Sequence, residues 1–244
     1  MMTMQKIRIA VAQIRISKNI QENIHAITNM INQGSDKYID VICFPECALT
    51  GYLVEYQNLD FSLVKNGLDQ IVEKAKRTGM YIIIGTPLKL REDIYNSAVI
   101  LSPNGDKYIY HKHYLTESEK NVIKSGHQLL QFKVGFVRCG VIICRDQNSH
   151  SLIQEYQKKG VSILFILAAH YYTKAEAHSK LNKNRALPIA RAIDNRLMVA
   201  KSNTVGLMDN KISLGNSMII DRKGIIITEA DELEETLLIG EFTL

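Results

Sequence analysis

No stretch of the 244-residue sequence approaches the ~18 uncharged apolar residues of a membrane-spanning helix, so no membrane contact is expected. The opening MMTMQKIRIAVAQIRI carries basic Lys6 and Arg8, but it is interrupted by Gln13 and Arg15 and lacks a small-residue cleavage site. It does not read as a signal peptide. There is no linker, internal repeat or low-complexity segment, and a single domain over residues 1–244 is expected. A basic stripe is missing too. The net charge of +5 is scattered, and its densest cluster, residues 174–196, is broken by Glu176, Asp194 and apolar residues, so no nucleic-acid partner is expected. Cysteines number only four. Cys43, Cys47, Cys139 and Cys144 all sit in or beside apolar runs, as suits buried thiols in a reducing, cytoplasmic setting rather than a disulfide framework. Three residues separate the first pair and four the second, off the paired CxxC pattern, so no metal is expected. What remains is an ordinary globular composition, 46% apolar and 23% charged.

In IRIAVAQI (7–14), Ile7, Ile9 and Val11 share one face of an extended chain and the small Ala10 and Ala12 the other, which predicts a largely buried strand. Ile20, Ile24, Ile27 and Ile31 then recur at helical spacing behind candidate caps at Ser17 and Asn19, predicting a helix over 18–33. A short strand over 41–44 ends at Pro45. A second helix fits 62–78, where Leu68, Ile71, Val72 and Ala75 form a stripe, and a strand follows at 81–84. The middle is β-rich, with segments at 97–101, 107–111, 129–134 and 136–144 and a turn at Pro103-Asn104-Gly105. Beyond it the pattern predicts a helix over 149–159, a strand over 161–167 and a helical stretch interrupted by Pro188 and ending near Arg196. Strands near 197–202, 216–220, 224–228 and 236–241 close the chain. Helices and strands mixed throughout place the protein in the α/β class.

Three polar residues follow apolar strands at their carboxyl ends, where α/β folds tend to assemble sites. They are Glu46 after VICFP, Lys112 after KYIYH and Cys144 closing GVIIC. A thiol at a helix start beside Arg145 is expected to have a pKa below the free ~8.5, although on position alone Cys144 reads more readily as a buried structural cysteine. Burial beside Pro45 would raise the Glu46 carboxyl and suit it to general-base work, whereas a lone loop glutamate is usually just solvated. Lys112, between His111 and His113, could stabilise an oxyanion or stand in water. Singly, none of these signals is specific.

Together they resemble the nitrilase, or carbon–nitrogen hydrolase, superfamily across nearly the whole chain. FPECALTGY (44–52) is similar to that family's glutamate motif, KYIYHKHYL (107–115) to its lysine motif and GVIICRD (140–146) to its cysteine motif, in the family's order. YNSAVI (95–100), ARAIDNRLMVAKSN (190–203) and GNSMIID (215–221) match as well. The resemblance implies a four-layer α-β-β-α sandwich that pairs into a homodimer or larger homo-oligomer. It implies a hydrolase of small amides, carbamoyl compounds or nitriles, amidase foremost, with no cofactor and no metal. The alternative is a catalytically silent member with a binding role. Glu46 would take the thiol proton, Cys144 would attack carbon, and Lys112 with the backbone N–H of Arg145 would hold the developing negative charge. Glu119, in ESEKNVIKSG (117–126), resembles a second glutamate that positions the lysine. Tyr52, Arg145 and His170, the last beside Tyr171 and Tyr172, are the candidate substrate-binding residues. Arg145 stands where an aromatic residue is common, and Gln147, Asn148, Ser149 and His150 replace a segment where several members carry a carboxylate-gripping arginine. Arg145 is therefore the candidate to supply that charge.

Overall fold

The computed structural model describes residues 6–52 and 55–243; residues 1–5 of the opening stretch lie outside them. In β1 (Lys6–Gln13) the alternation works as the residue sizes demand. Ile7, Ile9 and Val11 enter one apolar cluster, and Ala10 and Ala12 admit helices to the other face. The α1 helix (Ile20–Ser35) starts where the Asn19 side chain accepts from the Gln21 and Glu22 N–H groups at 2.9 and 3.4 Å. After β2 (Val41–Cys43), α2 (Phe61–Thr78) is capped by Asp60 and stopped by Gly79 in the left-handed conformation. The strands β3 (Tyr81–Leu90) and β4 (Asp93–Leu101) form a long hairpin, paired from Ile82–Leu101 to Leu90–Asp93, and β5 (Lys107–His111) follows antiparallel to β4. The hairpin is longer than the apolar run 81–84 predicts, because its polar tip pairs without needing apolar side chains.

The second half begins with β6 (Gln131–Val134) and β7 (Val137–Ile143), then a 3-10 turn over Cys144–Asn148 and α3 (His150–Lys158). It continues with β8 (Ile163–Leu167), β9 (Tyr172–Thr173), α4 (Lys174–Asn195), β10 (Met198–Ser202), β11 (Val205–Met208) and β12 (Lys211–Leu214). It ends with β13 (Met218–Ile220), β14 (Ile226–Glu229) and β15 (Thr236–Thr243). Pro188 does not interrupt α4. The helix runs through it, and the Lys201 ammonium donates to the Asn184 carbonyl at 2.9 Å, the acceptor that a proline four residues on cannot serve. The short sheet of β11, β12 and β9 leaves no mark in the sequence pattern, since its strands are half exposed and carry little alternation.

The strands assemble into two six-stranded sheets, ordered β15-β1-β2-β3-β4-β5 and β14-β13-β10-β8-β7-β6. Each has a central parallel trio, β1-β2-β3 in one and β7-β8-β10 in the other, flanked by antiparallel strands. The inner faces pack on one another through residues such as Val11, Val41, Val141 and Phe165. Outside them, α1 and α2 cover the first sheet and α3 and α4 the second. The result is an α-β-β-α sandwich. No helix among the described residues is long and apolar enough to cross a membrane.

Candidate active site

The carboxyl ends of the two central trios face each other, and the candidate residues lie there. Glu46 follows β2 in a loop whose backbone N–H reaches the Ala168 carbonyl, just past β8, at 3.3 Å. Gly85 makes the tight packing of this loop possible. A Cβ there would stand 2.6 Å from the Cys47 nitrogen and 2.7 Å from the Glu46 Cα. Lys112, just past β5 and fully buried, donates to Glu46 Oε1 at 2.6 Å and to Glu119 Oε1 at 2.9 Å. The structure thus brings Glu46 and Lys112 of the expected Glu–Lys–Cys triad together with Glu119, the second glutamate. Asn96 on β4 donates to the same two oxygens at 2.8 and 2.9 Å. Glu119 Oε2 accepts from the Thr116 N–H and hydroxyl. Every one of these oxygens is thereby occupied except Glu46 Oε2, which is buried and has no partner among the described residues.

Cys144 opens the 3-10 turn after β7 with φ +45, a left-handed conformation that is costly for a residue with a side chain. The turn is held by Asp146, whose carboxylate accepts from the Ile143 N–H at 2.9 Å, the Tyr114 N–H at 2.8 Å, the His113 N–H at 3.1 Å and the Tyr110 hydroxyl at 2.7 Å. One buried carboxylate therefore fixes the cysteine turn to the segment after Lys112. The same position sets the thiol's acidity against expectation. Burial, with Glu46 close by, pushes Cys144 well above the ordinary thiol range, and Lys112 only partly offsets it. The turn is too short for a helix-end effect to overcome that desolvation, so the resting group is a thiol. Burial also raises Glu46 despite the opposing Lys112. Glu119, pushed up by burial, ends below its ordinary value through Lys112, the Thr116 N–H and Asn96. Lys112 is disfavoured by burial but flanked by two carboxylates, which keep it charged. A buried, uncommitted carboxylate oxygen beside an un-ionised thiol is suited to taking its proton.

Cys144 opens into a cavity of about 250 Å³. Arg145 and His170, both predicted for substrate, line it with Gln147, Tyr172 and Asn184. His170 is buried and held neutral, its pKa pushed well below the ordinary value by burial and by Lys201 and Lys112; its Nδ1 and Gln147 Oε1 lack partners among the described residues. Tyr171 turns away and stacks on Tyr52, ring centroids 6.2 Å apart. Tyr52 does not line this cavity but a neighbouring one of about 270 Å³ that reaches Glu119. A larger groove, about 810 Å³, runs past Arg185, Glu229 and Asp231 away from Cys144, and Arg185 and Glu229 there neutralise each other at 2.8 and 3.0 Å. Several contributing residues are not singled out by sequence reasoning: Asn96, Asp146, and Lys180 and Lys183, which α4 brings to the Cys144 cavity. Asn96 stands inside a matched motif, a signal that could have found it. The two lysines carry none.

A cavity-facing, partly exposed cysteine beside a buried glutamate and lysine at the strand ends of such a sandwich defines a cysteine-dependent hydrolase of carbon–nitrogen bonds. The chain matches the carbon–nitrogen hydrolase family over residues 8–244 and belongs to it. It is 26% identical to the ω-amidase NIT2 of Xenopus tropicalis over 256 residues, 99% of this chain and 90% of that protein. It is 27% identical to a nitrilase of Pyrococcus abyssi over 245 residues, 97% and 90% of the two. Among solved structures, an amidase from Nesterenkonia sp. superposes with a TM-score of 0.86 at 19% identity, covering 97% of this chain and 90% of that one. The glutamine-dependent NAD+ synthetase of Acinetobacter baumannii superposes with a TM-score of 0.87 at 24% identity. There 98% of this chain matches only 46% of the larger one. At these identities the structural likeness is one of fold.

Proposed function

We propose that the protein is an amidase for a small amide whose far end carries a carboxylate, with Cys144 as nucleophile, Glu46 as general base and Lys112 as oxyanion partner. The free Glu46 Oε2 carries this reading. It takes the thiol proton as Sγ bonds to the amide carbon; the carbonyl oxygen gains the negative charge, facing Lys112 and the Arg145 backbone N–H. The oxyanion collapses, the C–N bond breaks, and Glu46 returns its proton to the departing nitrogen, releasing ammonia and leaving a thioester. Water then attacks the thioester carbon, Glu46 takes its proton, and the C–S bond breaks to give the acid and the thiol. Glu119 holds Lys112 in place throughout.

The carboxylate preference is supported by the cavity wall. Arg145, Lys180 and Lys183 line it, no acidic side chain does, and none of the three has a salt-bridge partner among the described residues. The ω-amidase names of several relatives fit such a substrate, and fit it better than a nitrile or carbamoyl compound. We read the whole chain as one domain of a cytoplasmic protein that pairs with a second copy. The test is ammonia release from a panel of neutral and acidic amides, carbamoyl compounds and nitriles. Acidic amides should be preferred, Cys144→Ala should abolish turnover with the fold intact, and Lys180→Ala/Lys183→Ala should raise KM about tenfold or more for acidic amides alone. Full activity in Cys144→Ala would refute the nucleophile, and equal losses on neutral and acidic amides would refute the carboxylate site.

A further inference from the structure

Lys201 on β10 is a fully buried lysine that the chemistry above does not use. Among the described residues it has no carboxylate partner; its ammonium donates only to the Asn184 carbonyl at 2.9 Å and the Asn216 carbonyl at 3.3 Å. A buried cation satisfied only by neutral carbonyls is costly, and burial pushes this one down to about 8. A leucine or methionine would fill the space at less cost, so the donor itself calls for a reason.

The reason lies in α4. A proline at position 188 has no N–H, so the Asn184 carbonyl loses the donor that a helix would give it four residues later. Asn184 is a buried residue, and an unmatched buried carbonyl is expensive. Lys201 supplies the missing hydrogen from the neighbouring strand. The turn repaired in this way is the cavity wall: Asn184 lines the Cys144 cavity and accepts from the hydroxyl of Tyr172, another lining residue, at 3.2 Å, while Lys180, Lys183 and Leu187 flank it on α4.

We propose that Lys201 is a positioning residue for the substrate pocket, replacing the hydrogen bond that Pro188 removes and thereby holding Lys180, Lys183 and Asn184 against Cys144. It acts through Asn184 and touches no reacting atom. This rests on the amidase reading only in assigning the cavity to substrate.

The test is a double-mutant cycle of Lys201→Met, Pro188→Ala and both together. Lys201→Met alone should raise KM for the preferred amide about tenfold while kcat changes far less, and should lower the melting temperature. The Pro188→Ala substitution restores an N–H to the Asn184 carbonyl, so adding it to Lys201→Met should recover most of the loss in both KM and melting temperature. An unchanged KM in Lys201→Met, or a double variant as impaired as Lys201→Met, overturns the proposal. If Lys201→Met does not fold, the double variant must fold, and its failure to do so is equally fatal. Should no amide be turned over by the parent protein, the amidase reading falls, and rescue of the melting temperature by Pro188→Ala still decides the role of Lys201.

Discussion

Burial sets the acid–base state of Cys144 and Glu46 together. The thiol is raised, so in the proposed mechanism it attacks only when Glu46 removes its proton, and the glutamate is raised, which would make it a stronger base than a solvated one. The sign of the pH dependence follows. Glu46 must be ionised to act, so kcat/KM should fall as pH drops through its elevated pKa, above the ordinary ~4.3. Raising the pH from there should bring activity to a plateau without waiting for the thiol to ionise by itself. A profile flat down to ~4.3, or one that climbs through the ordinary thiol range, would contradict this. Glu46→Gln keeps the shape but cannot accept the proton, and should cost about 10²–10⁴ in kcat. The left-handed backbone of Cys144 belongs to the same scale: it is strain that Asp146 maintains through its bond to the Ile143 N–H.

At the scale of elements, the site is a set of loops whose spacing is fixed by close approaches. Gly85 on β3 is one of these, for any side chain there meets the backbone of the Glu46 loop. Gly85→Ala should therefore lower kcat about tenfold or more by displacing Glu46, with a stability loss of roughly 1–3 kcal/mol. In Gly34→Ala, on α1, the new methyl meets only side-chain atoms at 3.6 Å or more, and activity should persist. Equal activities in the two variants would show that the close approach is unimportant. Much of this layer was legible in the sequence. Amphipathic α1 and α2, the buried strands and the three motifs at strand ends are local patterns, and local patterns survive into the fold. The half-exposed β9, β11 and β12 lack periodicity. Where α4 passes Pro188, the Asn184 carbonyl accepts from Lys201, a residue on another element that no helical pattern can include. Lys180 and Lys183 read as solvated surface charge until α4 is docked beside Cys144. The thiol's acidity misled for a related reason: sequence shows the neighbouring Arg145, but not the depth at which the sulfur sits.

At the scale of the whole molecule, the two sheets divide the labour. Glu46, Asn96 and Lys112 come from the first sheet and its loops, Cys144 and His170 from the second. Contacts across the divide include the Glu46 N–H to Ala168, the Tyr110 hydroxyl to Asp146 and the Ser202 hydroxyl to the Ala12 carbonyl, with the apolar faces of both sheets beneath them.

That division has a kinetic side. Either sheet can gain its own strand pairings and helices before the two faces close, but nucleophile and base meet only on closure, across a long stretch of intervening chain. During refolding from denaturant, the far-ultraviolet circular dichroism should thus recover ahead of amide turnover. A half-assembled chain would carry an inert thiol, since nothing nearby could take its proton. Simultaneous recovery of the two signals would mean that the sheets form as a single cooperative unit.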